Sequence, residues 1–324
     1  MTLDEIKEKL DESKNIVILV HDNPDGDAIG SGVAMYLALK NMGKEVDFIL
    51  PSYPSCFKEA LNLEGIVKSD EEVKDNYDLA IALDCASTKQ MHLYNEIFEK
   101  IDNTISIDHH PSNNMYADLN YVNSDSPACA QLLYVVFNYL GIEITTDIAK
   151  ALVAGIITDT GGFRYSGVTE ETFAITADLV SHGFKISDIY QKVFSEKTKS
   201  KFLLHQIAMN RIEFLLDGKL AYTYITDEDF KSVDAEDGDS DGIVEMGRDV
   251  DGVEVSLYLR VKEDGEIKGS LRSNEYVNVS ELAQIYGGGG HIRAAGFTLP
   301  KDFTLEKAKT NLVSTIKEYL DGKK

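Results

Sequence analysis

The hydrophobic residues in the first half of the chain fall into short apolar runs separated by longer amphipathic stretches. The apolar runs at 16–20 and 79–83 are uninterrupted, which is typical of strands that are buried on both faces, and a shorter run at 105–107 is broken only by Ser106. Apolar residues with helical spacing recur at about 28–42 and at 147–157. This alternation of strands and helices predicts a parallel sheet with helices packed on both of its faces.

The second half of the chain has a different pattern. It carries strand signals at 219–225, 253–261 and 266–272, and a helix signal that begins near Val279. These elements predict a smaller α+β domain. We therefore predict an α/β fold with two lobes and a central cleft. Its parts are a parallel-sheet domain at 1–190, a helical linker at 191–215 and a C-terminal domain at 216–324.

Aspartate and histidine residues follow each apolar run of the first half, and one more aspartate follows the helix predicted at 147–157. The carboxyl ends of parallel strands lie at one edge of a sheet, where ligands and chemistry are usually found. Side chains from separate strands are therefore expected to meet there. In chain order they are His21, Asp25, Asp27, Asp84, Asp108, His109, His110 and Asp159.

The make-up of this group predicts metal binding. Asp25, Asp27, Asp84 and Asp159 carry four negative charges, which two divalent ions would neutralise, whereas without cations their mutual repulsion would raise their pKa values. Imidazoles among carboxylates suit Mn²⁺, Fe²⁺ or Co²⁺ better than Mg²⁺, which prefers oxygen ligands and water. We expect two divalent ions, with Mn²⁺ preferred and Mg²⁺, Co²⁺ or Fe²⁺ as alternatives.

A run of four glycines at 287–290 marks the second half, and His291 and Arg293 follow it. Consecutive glycines allow backbone N–H groups to approach a phosphate closely. The run is not a Walker loop, because no Lys-Ser or Lys-Thr pair follows it. We predict that this segment binds phosphate, and the alternative is a flexible surface loop.

The chain carries a net charge of −23 at pH 7. Proteins that grip long nucleic acids display a basic stripe, whereas this chain would repel a long polyanion over most of its surface. No apolar stretch approaches the ~20 residues that cross a bilayer. The chain opens without a basic signal sequence, and its three cysteines lack CxxC spacing. We expect a cytoplasmic protein that binds neither membranes nor long nucleic acids.

The order of these motifs resembles that of the DHH phosphoesterase family. The matching segments are His-Asp-Asn-Pro-Asp-Gly-Asp from position 21, the lone Asp84, Asp-His-His from 108, and Thr-Asp-Thr-Gly from 158. The run Gly-Gly-Gly-Gly-His resembles the signature of the DHH-associated C-terminal domain. The similarity is greatest to the stand-alone oligoribonucleases that are also pAp phosphatases, known as nanoRNases.

The resemblance implies a two-metal centre. One ion would bind His21 and Asp25, the other would bind Asp27, His109 and Asp159, and Asp84 would bridge the two. His110 would contact the scissile phosphate or protonate the leaving oxygen, with Asp108 orienting the histidines. In the second domain, the implied substrate-binding residues are Arg272, Ser273, Gly288, Gly289, Gly290, His291 and Arg293.

The implied reaction is hydrolysis of short RNA, of about two to five units because longer strands meet an acidic surface, to 5′-mononucleotides. Removal of the 3′-phosphate from adenosine 3′,5′-bisphosphate (pAp) accompanies it. The motifs leave open a stand-alone phosphodiesterase for cyclic di-AMP or pApA. An inorganic pyrophosphatase would lack the glycine run. A nucleotide-binding regulator with an inactive site is disfavoured, because unneutralised clustered carboxylates are costly to keep. The resemblance is compatible with a homodimer.

Overall fold

The structure, a computed structural model, describes residues 3–50, 52–69 and 72–322. The chain divides into two compact units, Met1–Glu196 and Lys197–Lys324. The division falls inside the segment predicted as a linker. A π-helical turn at Gln191–Ser195 ends the first unit. The helix after it belongs to the second unit, because its apolar face is buried in a cluster of that unit.

The first unit contains a six-stranded sheet in which all neighbouring strands are parallel. The strand order is β3-β2-β1-β4-β5-β6, so the direction of winding reverses between β1 and β4. Every residue of β4 is buried, as expected for an apolar strand covered on both faces. The strands are β1 (Asn15–Leu19), β2 (Glu45–Ile49), β3 (Val67–Lys68), β4 (Leu79–Leu83), β5 (Thr104–Asp108) and β6 (Leu119–Val122).

The described residues of the first unit form eight α-helices in addition to this sheet. They are α1 (Leu3–Glu12), α2 (Gly26–Asn41), α3 (Ser55–Leu61), α4 (Asn95–Lys100), α5 (Cys129–Leu140), α6 (Thr146–Asp159), α7 (Glu170–Val180) and α8 (Ile186–Tyr190), with a 3₁₀ helix at Thr88–Tyr94. Helices α2 and α6 pack closely at Gly30, where a Cβ would lie 2.5 Å from the carbonyl oxygen of Ala151. Only glycine allows this approach, which helps to bring Asp159 near Asp27.

The second unit contains a six-stranded sheet in the order β11-β12-β10-β9-β8-β7. Strands β8 and β9 are parallel, and the other neighbouring pairs are antiparallel. The strands are β7 (Glu213–Leu215), β8 (Leu220–Thr226), β9 (Val255–Val261), β10 (Ile267–Ser273), β11 (Gly289–His291) and β12 (Ala294–Leu299). The α+β character predicted for this half is therefore confirmed.

Five α-helices accompany the second sheet: α9 (Lys199–Asn210), α10 (Asp227–Ser232), α11 (Ile243–Arg248), α12 (Val279–Ile285) and α13 (Leu305–Gly322). The helix predicted within the linker at 191–215 is shorter than expected. It ends at Asn210, because the next apolar residues pair with β8 as strand β7. Within the described ranges, no helix combines the length and the apolar character that spanning a membrane requires.

Candidate metal centre

The predicted ligands follow strands that are neighbours at the reversal of the first sheet. His21 and Asp25 come after β1, and Asp84 comes directly after β4. Asp108 is the last residue of β5, and His109 follows it. At such a reversal the loops leave a crevice at the carboxyl ends of the strands, where ligands bind. The sequence prediction that separate strands deliver these side chains to one place is confirmed.

Three overlapping groups of potential metal ligands lie in this crevice. In each group the ligand atoms are within 4.8 Å of one another. The Nε2 atom of His109 lies 3.3 Å from Asp84 Oδ1 and 3.3 Å from Asp159 Oδ2. The groups are His21 with Asp25 and Asp84, Asp27 with His109 and Asp159, and Asp84 with His109 and His110. Asp84 belongs to two of the groups, and its 3.3 Å contact with His109 links it to the third, which is the arrangement expected of a ligand that bridges two ions.

Asp84 itself carries two signs of a functional role. Its backbone lies in the left-handed region, with φ of +53°, which costs energy for a residue other than glycine. Its side chain is buried, and the Oδ1 atom accepts no hydrogen bond. A buried carboxylate oxygen without a partner is destabilising unless a cation or donor satisfies it. The carboxylate oxygens and imidazole nitrogens around Asp84 therefore fit the divalent ions that the sequence predicts.

Helix N-termini position Asp25 and Asp27, the two proposed carboxylate ligands that follow β1. Asp25 Oδ1 caps α2 by accepting from the backbone N–H groups of Asp27 and Ala28, at 2.9 and 3.1 Å. The carboxylate of Asp27 accepts from the N–H groups of Cys129 and Ala130, the first residues of α5, at 2.5 and 2.9 Å. Both contacts hold a negative charge at a helix N-terminus, where the dipole stabilises it.

Helix α5 is capped by a residue from a distant part of the chain. The pair Ser126-Pro127 predicts a helix start with a local side-chain cap. The helix instead begins at Cys129, and its N-cap residue, Ala128, has no capping side chain. Asp27 performs that role from a distant part of the chain. No local pattern signals this, because the cap and the helix meet only in the folded sheet.

The two adjacent histidines have different partners. The Nδ1 atom of His110 lies 2.7 Å from Oδ1 of buried Asp108, whose Oδ2 accepts from Asn113 at 2.7 Å. The Nδ1 atom of His109 lies 3.1 Å from the carbonyl oxygen of Ser126. The expectation that Asp108 orients both imidazoles is therefore right for His110, while the Ser126 carbonyl holds the ring of His109. The contacts of Ser126 and Asn113 with this site were not predicted from the sequence.

The pKa values record how closely these charges are packed. Burial and repulsion from Asp84 raise the pKa values of Asp25 and Asp27. Burial, together with nearby carboxylates, raises the pKa of Asp159 to about 7, although His109 opposes this. Burial also acts to raise the pKa of Asp84, but the neighbouring imidazoles outweigh it and lower that pKa. The expected rise is thus confirmed for three aspartates and wrong for Asp84, which histidines surround.

The histidines show the reverse effect. Burial acts to lower the pKa of His109, but pairing with Asp84 outweighs it and raises that pKa to about 10. Burial also acts to lower the pKa of His110, and the hydrogen bond with Asp108 more than compensates. Four carboxylates and three imidazoles packed this closely are stabilised by positive charge placed among the carboxylates.

The residues predicted to bind substrate all lie in the second unit, and three of them bond to their own fold. The Nε of Arg272 pairs with Glu245 of α11 at 2.9 Å. The hydroxyl of Ser273 donates to the carbonyl of Val277 at 2.6 Å. The guanidinium of Arg293 donates to the same carbonyl at 2.9 Å. His291 ends strand β11 and is exposed.

The glycine run is a strand with a tight turn before it, in contrast to the flexible-loop alternative. The N–H groups of Gly287 and Gly288 donate to carbonyls of α12 and end that helix, so neither is available to a phosphate nest. A Cβ at Gly288 would lie 2.1 Å from the carbonyl oxygen of Gly296, whereas a Cβ at Gly289 would meet nothing within 4 Å. Packing therefore requires glycine at position 288. At position 289 the fold leaves room for a side chain, so glycine would be required there only if a ligand occupies that space.

The comparisons with known proteins agree with this arrangement. The profile of the DHH family, N-terminal domain, matches residues 15–156, and that of the DHHA1 domain matches residues 217–322. The chain is 33% identical over 306 residues to the bifunctional oligoribonuclease and PAP phosphatase NrnA of Thermus thermophilus, covering 94% of this chain and 90% of the relative.

Two further similarities extend over nearly the whole chain. The cyclic-di-AMP phosphodiesterase PdeA of Listeria monocytogenes is 26% identical, covering 98% of this chain and 49% of the relative. The crystal structure of an exopolyphosphatase-related protein from Bacteroides fragilis superposes with a TM-score of 0.90 and 26% identity, covering 99% of this chain and 95% of that one. The chain therefore belongs to the DHH family, with a DHHA1 domain in its second half, and is a phosphoesterase.

Proposed function

We propose that this protein hydrolyses short RNA oligonucleotides to 5′-mononucleotides and removes the 3′-phosphate from pAp, using two divalent metal ions. The observation that carries the proposal is the buried Oδ1 of Asp84, which accepts no hydrogen bond. Asp84 groups with His21 and Asp25, and this oxygen lies 3.3 Å from Nε2 of His109 in the other set of ligands. The similarity to NrnA of Thermus thermophilus supports the substrates. The net charge of −23 supports a limit on length, because a long strand would cross an acidic surface.

The chain's own residues divide the work. His21 and Asp25 would hold one ion, Asp27, His109 and Asp159 the other, and Asp84 both. Ions bound there lower the pKa of a coordinated water and offset the charge of the phosphate. Mn²⁺ is the ion we propose, because imidazole and carboxylate ligands are mixed.

His110 is the residue we assign to the proton. Its Nδ1 lies 2.7 Å from Oδ1 of Asp108, and we assign Nε2 to the contact with the phosphate or the leaving oxygen. Burial acts to lower the pKa of His110, and the hydrogen bond with Asp108 outweighs it and raises that pKa. A raised pKa is the property that a general acid needs near neutral pH.

A second candidate reaction is hydrolysis of cyclic di-AMP or its linear product pApA. The observation in its favour is the similarity to PdeA of Listeria monocytogenes along 98% of this chain. The same metal ligands and the same His110 would serve either substrate. The two candidates therefore differ in what the second unit accepts and not in the chemistry of the first.

Product analysis with purified protein and Mn²⁺ tests both candidates. The substrates are pAp, pApA, cyclic di-AMP, a 5-unit RNA and a 24-unit RNA, offered separately. We expect turnover of pAp and the 5-unit RNA, with the 24-unit RNA and the cycle spared. Preference for pApA or the cycle would replace the proposal with the second candidate.

Two variants make the metal assignment specific. Asp84→Asn should abolish turnover, and asparagine tolerates the left-handed backbone at this position. Asp22→Asn is the matched control, because Asp22 lies in the loop after β1 that also carries His21 and Asp25, but bonds to Asn23 rather than to the ligand groups. Substantial activity in Asp84→Asn, or equal losses in both variants, would contradict the assignment.

A further inference from the structure

The segment that follows β10 has its backbone fixed by a buried carboxylate. Glu254, the residue before β9, is 3% exposed. Its carboxylate accepts hydrogen bonds from three consecutive backbone N–H groups: those of Glu275, Tyr276 and Val277, at distances between 2.7 and 3.3 Å. Bonds to a charged acceptor are stronger than those between neutral groups, so this segment is held firmly from one side.

The same segment is held from its other side as well. The guanidinium of Arg293 donates to the carbonyls of Glu275 and Val277. The Ser273 hydroxyl donates to the carbonyl of Val277 at 2.6 Å. The side chain of Asn274 donates to two carbonyls of the neighbouring turn, each at 2.8 Å.

The side chain that this rigid segment displays is Tyr276, which is 45% exposed. Tyr276 lines a pocket of about 460 Å³ together with Val250, 39% exposed, and with Lys219 and Asp251. The volume lies within the range of small-molecule sites. Single exposed apolar residues are common on protein surfaces, but here two of them line a polar concavity, and one sits on a backbone that is fixed in place.

The pocket lies at the end of the second sheet that also carries the predicted phosphate-binding residues. Arg272 pairs with Ala294, directly after the turn that contains His291–Arg293, and Ser273 pairs with Val255. Val255 pairs in turn with Leu220, the neighbour of Lys219 in the chain. Tyr276 follows Ser273 by three residues. The pocket and the phosphate-binding candidates therefore share one sheet end.

The lining of the pocket indicates what kind of group it takes. The charged residues that line it are two basic ones, Lys219 and Arg248, and four acidic ones, Asp249, Asp251, Glu254 and Glu275. Negative charge is therefore in excess, which disfavours a phosphate. Carboxylates accept hydrogen bonds from the exocyclic amino groups of adenine, cytosine and guanine. An aromatic ring held rigidly provides a face for a base, and such stacking is worth about 1–3 kcal/mol per base.

We infer that this pocket binds a nucleobase of the substrate by stacking on Tyr276, an inference that rests on the proposed function. Glu254, Ser273 and Arg293 then act as positioning residues, which fix the backbone that presents the ring. A base that carries an amino group is favoured over uracil. The expectation from the sequence that Arg272 and His291 bind phosphate is separate from this inference.

The experiment compares the full-length protein with Tyr276→Ala, Tyr276→Phe and a control, Tyr139→Ala. Tyr139 is an exposed tyrosine of the first unit, 54% exposed. One readout is KM and kcat, with Mn²⁺, for the dinucleotide ApA and for two analogues that each lack one base. The other readout is the affinity for AMP, measured by titration calorimetry in the presence of a chelator, which requires no turnover.

We expect Tyr276→Ala to raise KM for ApA and to weaken AMP binding by about tenfold or more, with a much smaller change in kcat. Tyr276→Phe should behave like the wild type, because the ring is retained, and so should Tyr139→Ala. For the analogue that lacks the stacked base, the wild type and Tyr276→Ala should have the same KM. An unfolding temperature equal to that of the wild type confirms that the variant is folded.

The failure of the inference and the failure of the proposed function look different. If the wild type hydrolyses ApA, and Tyr276→Ala has unchanged KM and unchanged AMP affinity, the nucleobase pocket is refuted while the proposed function stands. If the wild type hydrolyses no phosphodiester, but AMP affinity still falls in Tyr276→Ala and returns in Tyr276→Phe, the proposed function is refuted and the pocket is supported.

Discussion

Replacing Asp108 by asparagine tests whether His110 depends on a charged partner. The carboxylate of Asp108 is fully buried and accepts from His110 Nδ1, from two backbone N–H groups and from Asn113 Nδ2. An asparagine side chain has one acceptor oxygen and one NH₂ donor. If the asparagine oxygen accepts from His110, its NH₂ group faces the NH₂ group of Asn113, and two donors meet. If the side chain is turned the other way, its NH₂ group faces the ring N–H of His110, and again two donors meet.

The expected size of the effect follows from the bond that is lost. A hydrogen bond to a charged group contributes about 1.5–3 kcal/mol, and each 1.4 kcal/mol corresponds to a tenfold change in rate. Asp108→Asn should therefore lower kcat by about 10- to 100-fold. Its affinity for Mn²⁺ should change much less, because Asp108 is outside the three groups of potential ligands.

The assay measures kcat for a short RNA and, separately, Mn²⁺ affinity by titration calorimetry. Asp22→Asn is the matched control, since it removes the same charge from a residue outside the ligand groups. A kcat within twofold of the wild type would refute the reasoning about His110. An equal loss of Mn²⁺ affinity and of kcat would show that Asp108 acts through the metal ligands instead.

Two further predictions concern stability. A ligand at 100 times its Kd stabilises a protein by about 2.7 kcal/mol, so saturating Mn²⁺ should raise the melting temperature of the first unit by about 5–10 °C, measured by calorimetry. Asp84→Asn should remove this shift, and a shift of wild-type size would contradict the ligand assignment. Gly288→Ala should cost about 1–3 kcal/mol in urea unfolding, because its Cβ would press on a backbone carbonyl. Gly289→Ala should change stability by less than about 0.5 kcal/mol, and equal losses would contradict the packing argument.

The metal centre could be predicted from the sequence because its ligands follow regular elements. Each of His21, Asp84 and His109 comes after an apolar run that reads as a buried strand, and parallel strands present their carboxyl ends on one side. Asp159 was less accessible to this reasoning, because it ends a helix, α6, and not a strand. Its place near Asp27 depends on the close packing of α2 and α6 at Gly30, which no periodicity reveals.

The details of the second unit were less predictable. Glycine-rich sequence is compatible with a loop, a nest or a strand, and the choice here depends on Gly296 lying against Gly288. Likewise, Arg293 and Ser273 look like phosphate ligands in the sequence, yet both bond to the carbonyl of Val277. Glu254 gave no signal at all, because its partners are backbone groups about twenty residues away.

The difference between Asp27 and Asp84 shows how the centre is tied to the fold. Asp27 is a proposed ligand and also the cap of α5, whose own N-cap residue, Ala128, offers no side-chain acceptor. A change at Asp27 therefore removes a metal ligand and a helix cap together, and losing a cap costs about 0.5–2 kcal/mol. Asp84 has a buried oxygen that accepts no hydrogen bond. Removing its charge takes away a ligand with less damage to the fold, so the loss of activity in Asp84→Asn is the one that reports on the metal.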